Sequence, residues 1–123
     1  MKFRLLLWAL SLLMKKAAKK NPNFQQQIAG KDIGFQIQTA DGAIVRQFVI
    51  ANERVKSRAK ALSEPAFTIA FKDQDTGVRI MTSKDKNAFM KAIQEKDIQV
   101  SGDLSQFMWF QGAMKHLKNK KKG

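Results

Sequence analysis

Short alternating segments separated by turn residues constrain the fold of this chain more than any other feature. In GFQIQTADGAIVRQFVI, apolar and polar residues alternate over 34–39 and a second extended run covers 44–50, with Asp41-Gly42 between them. Successive side chains of a strand point to opposite faces of a sheet, and Asp-Gly is typical of a hairpin turn. We therefore predict an antiparallel hairpin. The second strand is apolar on both faces, which predicts a position inside the sheet.

The next alternating segment, 54–60, carries basic side chains on one face. Arg54, Lys56, Arg58 and Lys60 alternate with small or apolar residues. Such a row of cations can contact an anionic surface, and it can equally protect an edge strand from aggregation. The sequence leaves both interpretations open.

Two further strands and several helices complete the prediction. Strands are predicted over 67–72 and 97–100, and capped helices over 84–94 and from Asp103 onward. The segment 73–82 fits either a short helix or a strand. The order of elements predicts an α+β fold, with a five-stranded, mostly antiparallel sheet and helices packed on one face.

The first twenty residues, MKFRLLLWALSLLMKKAAKK, predict a helix that is apolar on nearly all sides and flanked by cations. Its apolar run, 5–14, is about half as long as a membrane-spanning helix needs to be. Because Lys15 and Lys16 follow the run directly, where a signal peptide would have a cleavage site, we expect an uncleaved first helix. Such a helix requires burial on two sides, one against the domain and one against a partner, a second copy or membrane headgroups.

The positive charge is concentrated towards the two ends of the chain. Of the net charge of +13, residues 1–60 contribute 12 basic and 3 acidic side chains, and 113–123 contribute 5 basic and no acidic ones. Clustered charge of this kind predicts contact with an anionic membrane or a nucleic acid. The residues predicted to make this contact are Lys15, Lys16, Lys19, Lys20, Arg54, Lys56, Arg58, Lys60, Lys120, Lys121 and Lys122.

Residues suited to catalysis or metal binding are scarce. The chain has one histidine, His116, no cysteine, and ten carboxylates dispersed mostly over predicted turns and helix starts. Neither a metal site of several histidines or cysteines nor a typical catalytic constellation can be assembled from them. We expect no enzyme activity, no metal and no cofactor. The absence of cysteine fits a reducing compartment, and we expect a cytoplasmic protein that associates peripherally with the inner membrane.

The segment QFMWFQGAM (106–114) carries more large apolar side chains than one face of a helix needs. Packing in an ordinary core accounts for Phe107, Phe110 and Met114, but it does not account as well for Met108 and Trp109. Methionine adapts well to irregular apolar ligands. The surplus indicates an apolar cavity beside the last helix.

The region 66–118 resembles the sterol-carrier-protein-2 (SCP2-like) domain. The similarity lies in the strand PAFTIAF, the segment DQDTGVRIMTSK, the helix KNAFMKAI and the strand KDIQVSGD, followed by a hydrophobic C-terminal helix. The upstream hairpin fits the first hairpin of that family, so the resemblance extends over 33–118. It favours a helix at 73–82 and implies a hydrophobic tunnel for sterols, fatty acyl chains or other lipids. Some bacterial relatives are accessory proteins of ubiquinone biosynthesis.

The resemblance divides the chain into an N-terminal helical segment (1–32), an SCP2-like domain (33–118) and a basic tail (119–123). We predict a non-enzymatic lipid-binding or carrier protein, for a sterol, fatty-acyl or isoprenoid ligand, that contacts an anionic membrane. The residues expected to line its cavity are Phe71, Met81, Phe89, Met90, Ile93, Phe107, Trp109, Phe110 and Met114. The alternatives are a basic nucleic-acid-binding module and an interaction protein that dimerises through its first helix. Nucleic acid is the less favoured partner because no aromatic side chain accompanies the cations of 54–60 for base stacking.

Overall fold

The structure is a computed structural model that describes residues 2–83 and 87–118, with side chains described up to residue 114. Its elements follow the predicted order, and the predicted α+β class is confirmed. They are α1 (Lys2–Lys20), α2 (Pro22–Ile28), β1 (Ile33–Thr39), β2 (Val45–Ala51), β3 (Arg54–Arg58), β4 (Phe67–Phe71), α3 (Gln74–Met81), α4 (Ala88–Gln94), β5 (Ile98–Gly102) and α5 (Leu104–Lys118).

The five strands form one mixed sheet in the order β3-β2-β1-β4-β5. Neighbouring strands are antiparallel except for β1 and β4, which pair in parallel at the centre with Ile37 beside Ile69. The hairpin predicted from the alternation is present as β1 and β2, with Phe35 opposite Phe48. The sheet is therefore mostly antiparallel, as predicted, and β3 and β5 form its edges.

One face of the sheet is apolar and carries the helices. Phe35 stacks on Phe48 at 5.2 Å and on Phe67 at 4.7 Å between ring centroids, so aromatic rings join three adjacent strands. The opposite face, which we call the open face, is polar on β1, where Gln36 and Gln38 project. The segment that follows β3 crosses this face, and Leu62 donates its backbone N–H to Gln36 Oε1 at 2.9 Å.

The third strand is shorter than the predicted span of 54–60 and ends at Arg58. The chain turns away from the sheet edge there, and Gln47 donates its side-chain amide to the carbonyl of Lys60 at 3.2 Å. Lys60 is therefore exposed beyond the end of the strand, although it remains near β2.

Helix α1 packs its inner face against the same core as the sheet. Phe3, Leu7 and Met14 are buried, and the Phe3 ring lies 5.2 Å from that of Phe71 at the end of β4. The residue of α3 at this contact is Gly77, where a Cβ atom would lie only 2.6 Å from Phe3 Cδ1. The glycine lowers helix propensity but allows α1 to approach α3. The segment 73–82 is thus helical, as the family resemblance favoured.

Aspartate side chains cap the first turns of α3 and α5. Asp73 Oδ1 accepts a hydrogen bond from the Thr76 N–H at 2.8 Å at the start of α3. Asp103 Oδ1 accepts one from the Ser105 N–H at 3.0 Å at the start of α5. Gln106, three residues after Asp103, does not complete a capping box, because its Oε1 accepts from the Lys31 ammonium at 3.1 Å and the Asp103 N–H donates to the Ala66 carbonyl at 2.8 Å.

Candidate functional site

Helix α5 carries four of the nine predicted lining residues, and its inner face lies on the aromatic surface of the sheet. Phe107 and Phe110 are buried in this contact. The Phe110 ring lies 4.8 Å from that of Phe35, and the Phe107 ring lies 5.8 Å from that of Phe67. These two side chains therefore attach the helix to the sheet.

Trp109 lies on the flank of α5 that faces α2. Its indole Nε1 donates a hydrogen bond to the carbonyl oxygen of Gln27 at 2.8 Å, and the ammonium of Lys31 lies 4.8 Å from its ring. The ring is half-buried. Trp109 thus joins α5 to the end of α2, a role that the sequence pattern did not reveal.

The helix α4 lies beside the other flank of α5. The Phe89 and Phe107 rings are 5.8 Å apart, and Gln111 Nε2 donates to the Met90 sulfur at 3.2 Å. Residues 109 and 111 are about 200° apart around a helix, so this contact and that of Trp109 lie on different sides of α5. Met90 is 46% exposed.

The predicted lining residues consequently fall into three groups. Phe71, Phe107 and Phe110 are buried in ring contacts. Trp109 and Met90 lie on opposite flanks of α5. The remaining four belong to α3, α4 and α5 and are half-buried against the core, and we call their positions together the helix junction: Met81, Phe89, Ile93 and Met114. Contact with a ligand stays a prediction for all nine residues, and the half-buried group has the greatest freedom to adapt.

A cleft of about 570 Å³ with a mixed polar and apolar lining lies beside the start of α5. It contains none of the predicted lining residues, and three of its side chains are carboxylates, so its chemistry does not suit an apolar chain. Sequence reasoning did not find it because its walls come from three separate connections and from the starts of β1 and α5. They are Gly30, Lys31, Asp32, Ile33, Gly34, Glu64, Ala66, Asp103 and Gln106.

The outer face of α1 combines exposed apolar side chains with cations. Leu5, Trp8 and Leu12, which we call the outer ridge, are 61%, 49% and 43% exposed, and their spacing aligns them on one side of the helix. Leu13 is exposed next to them. The first acidic residue of the chain is Asp32, so no carboxylate lies on this helix. The cations that flank the ridge are Lys2, Arg4, Lys15, Lys16, Lys19 and Lys20.

The cations of β3 occupy a different face of the protein. Val55 is buried on the helix side of the sheet, whereas Arg54, Lys56 and Arg58 are exposed. Because consecutive side chains of a strand alternate, these three cations project from the open face. The structure thus separates two groups that the sequence analysis had combined. Lys120, Lys121 and Lys122 lie outside the described residues.

Neither a transmembrane helix nor a metal cluster is found among the described residues. No helix in 2–83 or 87–118 is long and apolar enough to cross a membrane. Within the same part of the chain, no three histidine, cysteine or carboxylate side chains group so that they could hold a metal ion.

The arrangement defines a class of α+β protein in which helices cover one face of a mixed five-stranded sheet. Among solved structures, UbiJ-SCP2, a ubiquinone synthesis protein, superposes with a TM-score of 0.71 at 10% identity, over 95% of this chain and 94% of its own. Sterol carrier protein 2 from Yarrowia lipolytica, in its apo form, superposes with a TM-score of 0.59 at 10% identity, over 90% and 91%. The chain therefore has the SCP2-like fold, as the resemblance predicted.

A third solved structure with this fold is that of palmitated SCP2L2 from Aedes aegypti. It matches with a TM-score of 0.55 at 18% identity, over 84% of this chain and 86% of its own. No protein-family model matches the sequence, and no curated protein matches it significantly.

Proposed function

We propose that this protein binds an apolar lipid without catalysis and does so at an anionic membrane surface. The ligand is a fatty-acyl, sterol or isoprenoid chain, and its contacts lie between the sheet and the helices α3, α4 and α5. The observation that carries the proposal is the SCP2-like fold across almost the whole chain, together with the half-buried apolar side chains at the helix junction. The palmitated neighbour supports an acyl ligand.

The expected affinity comes from apolar burial. Burying about ten methylenes contributes roughly 8 kcal/mol before the entropy of binding is subtracted. The half-buried methionines Met81 and Met114 suit such a ligand because an unbranched thioether can change rotamer around an irregular chain. Polar groups are not required in this mode of binding, which agrees with the apolar character of the four junction residues.

Native mass spectrometry of protein purified without detergent, followed by lipid extraction and titration with a fluorescent acyl probe, tests the proposal. We expect a lipid adduct or saturable probe binding. Met114→Trp should fill the junction and weaken probe binding by at least about tenfold, equivalent to losing one or two buried methylenes. Met108→Trp is the matched control, since Met108 is 68% exposed. The proposal would be refuted if the folded protein carried no lipid and also failed to bind the probe.

The membrane half of the proposal rests on the outer face of α1. About half of each outer-ridge side chain is exposed, so insertion among headgroups gains roughly 1 kcal/mol per residue. Each nearby cation adds up to about 1 kcal/mol against anionic lipid, and this part weakens with salt. We expect co-sedimentation with vesicles that contain phosphatidylserine or phosphatidylglycerol and much weaker binding to neutral vesicles.

The contribution of the outer ridge can be separated from that of charge. Leu5→Ser combined with Leu12→Ser should weaken vesicle binding by about tenfold or more, because two apolar contacts are lost. Leu104→Ser combined with Met108→Ser removes apolar side chains of α5 that are at least as exposed, and this pair is the control. Equal losses in both pairs would contradict a specific role for α1.

The alternative of a dimer through α1 uses the same surface. The outer ridge would then be covered by a second copy, and protein concentration would compete with vesicle binding. Analytical ultracentrifugation distinguishes the two: a monomer at micromolar concentration favours the membrane, and a dimer that dissociates in the Leu5→Ser, Leu12→Ser variant favours self-association.

A further inference from the structure

The cations of β3 form a stripe on the open face, and the sheet register defines what surrounds it. Arg54 pairs with Ala51, Lys56 with Val49 and Arg58 with Gln47. These β2 partners are uncharged and half-buried. The stripe therefore lies at the outer edge of the sheet, beside uncharged residues of β2.

The positive charge of this stripe is not neutralised by neighbouring side chains. Within the described part of the chain, the ion pairs join Asp97 to Lys72 and to Arg79 at the opposite side of the sheet, and none involves β3. The segment after β3 adds Lys60, whose backbone is held by Gln47. The nearest acidic residue in sequence, Glu53, lies in the turn before the strand.

The spacing of the cations points to a partner in an extended conformation. Alternate residues of a strand are about 6.7 Å apart, and an extended segment presents its own alternate side chains at the same interval. Carboxylates at every second position of such a segment would each meet one cation, as opposite charges do in cross-strand pairs.

Two other anionic partners fit this surface less well. The aromatic residues of the strands, such as Phe35, Phe48 and Phe67, are buried on the helix side, so the stripe has no rings on which nucleic-acid bases could stack. The exposed large apolar side chains lie on α1, α4 and α5 and not on the open face. A membrane docked through the outer ridge would therefore approach the protein from a different side.

We propose that the β3 stripe, Arg54, Lys56 and Arg58, is a docking surface for an extended acidic segment of a partner protein. It is separate from the membrane-contacting face of α1. The complementarity is one of charge and spacing, so binding is weak and salt-dependent. Docking of the acidic segment does not depend on the lipid-binding function, because the stripe is present whether or not a lipid is bound.

The test uses a synthetic peptide of about ten residues that alternates glutamate and threonine, with binding measured by fluorescence anisotropy at about 50 and 300 mM NaCl. The triple variant Arg54→Glu, Lys56→Glu, Arg58→Glu should lose affinity by about tenfold or more, as three exposed ion pairs are removed. The matched control is Lys16→Glu, Lys19→Glu, Lys20→Glu on α1, which changes the net charge equally. It should change peptide affinity by less than about twofold and instead lose binding to anionic vesicles.

Several outcomes would overturn the proposal. Equal loss of peptide binding in both triple variants would mean that net charge alone is responsible. If the β3 variant lost binding to anionic vesicles, the stripe would be a membrane contact. If the wild type bound RNA and the β3 variant did not, the stripe would be a nucleic-acid contact. A β3 variant that aggregates while wild type fails to bind the peptide would assign the cations to edge protection. If the glutamate variant does not fold by circular dichroism, Arg54→Gln, Lys56→Gln, Arg58→Gln compared with Lys16→Gln, Lys19→Gln, Lys20→Gln gives the same test.

Discussion

The contact between Gly77 and Phe3 provides the sharpest test of how α1 joins the fold. A Cβ atom at position 77 would lie 2.6 Å from Phe3 Cδ1, inside the closest approach that carbon atoms tolerate. Phe3 is completely buried against Phe71, so its ring cannot move without opening the core. Gly77→Ala therefore forces α1 and α3 apart.

Two effects of opposite sign determine the magnitude. Replacing glycine by alanine inside a helix stabilises it by about 1 kcal/mol, whereas overpacking a core costs about 1 to 3 kcal/mol. We expect Gly77→Ala to lower the free energy of unfolding by about 1 kcal/mol. Gly112 in α5 is the matched control because nothing lies within 4 Å of a Cβ atom there. Gly112→Ala should gain the full helix propensity, about 1 kcal/mol.

Urea unfolding followed by circular dichroism measures both variants. A difference of about 2 kcal/mol between them separates their midpoints by about 1 M. In a Phe3→Ala background the clash disappears, so Gly77→Ala should become stabilising, and the double-mutant cycle isolates the contact. If Gly77→Ala stabilises the wild type as much as Gly112→Ala does, α1 does not pack on α3 as described.

Three further predictions concern local interactions. Trp109→Phe leaves the carbonyl of Gln27 without its indole donor and should cost about 1 to 2 kcal/mol, whereas Trp8→Phe on the outer ridge should leave the urea midpoint unchanged. Asn52 and Glu53 both have positive φ, 55° and 62°, so Glu53→Gly should relieve strain and raise the thermal midpoint, by about 1 kcal/mol in stability. Hydrogen bonds from Ser105 and Gln106 lower the pKa of Asp103 below its ordinary 3.8. The ionised Asp103 carboxylate therefore stabilises the fold above pH 3.8, and this contribution is lost as the pH falls through the lowered pKa. The difference in thermal midpoint between wild type and Asp103→Asn should accordingly disappear at acid pH.

Much of the sheet could be predicted from sequence because alternation reports which residues face the core. Phe35 and Ile37 alternate with glutamines, and the structure buries both apolar residues on the helix side. Alternation does not encode the partner of a strand, so the parallel pairing of β1 with β4 could not be read from it. Residues that act through distant contacts were also unreadable: Gly77 resembles a helix breaker until Phe3, 74 positions earlier, is known to lie against it.

The candidate site was predictable in part for the same reason. The surplus of apolar side chains on α5 is visible in the sequence, but its distribution over two flanks depends on which helices lie beside it. Trp109 bonds to Gln27, 82 residues away, and no local pattern indicates that bond. The outer ridge of α1 was easier to foresee, because a helix that is apolar on nearly all sides must leave some of those side chains outside any single contact.

The two faces of α1 differ in the free energy that their burial contributes, and this difference bears on how the helix would contact a membrane. The inner face buries Phe3, Leu7 and Met14, and full burial of such side chains contributes roughly 2 kcal/mol each, about 6 kcal/mol together. About half of the surface of the three outer-ridge side chains is exposed, and its burial in a membrane would contribute roughly 3 kcal/mol. The cations contribute to membrane contact whether or not the helix remains on the core, so they do not favour its release. The outer ridge can therefore enter a membrane surface at no cost to the core, and we expect α1 to contact lipid headgroups while it remains packed against α3 and the sheet.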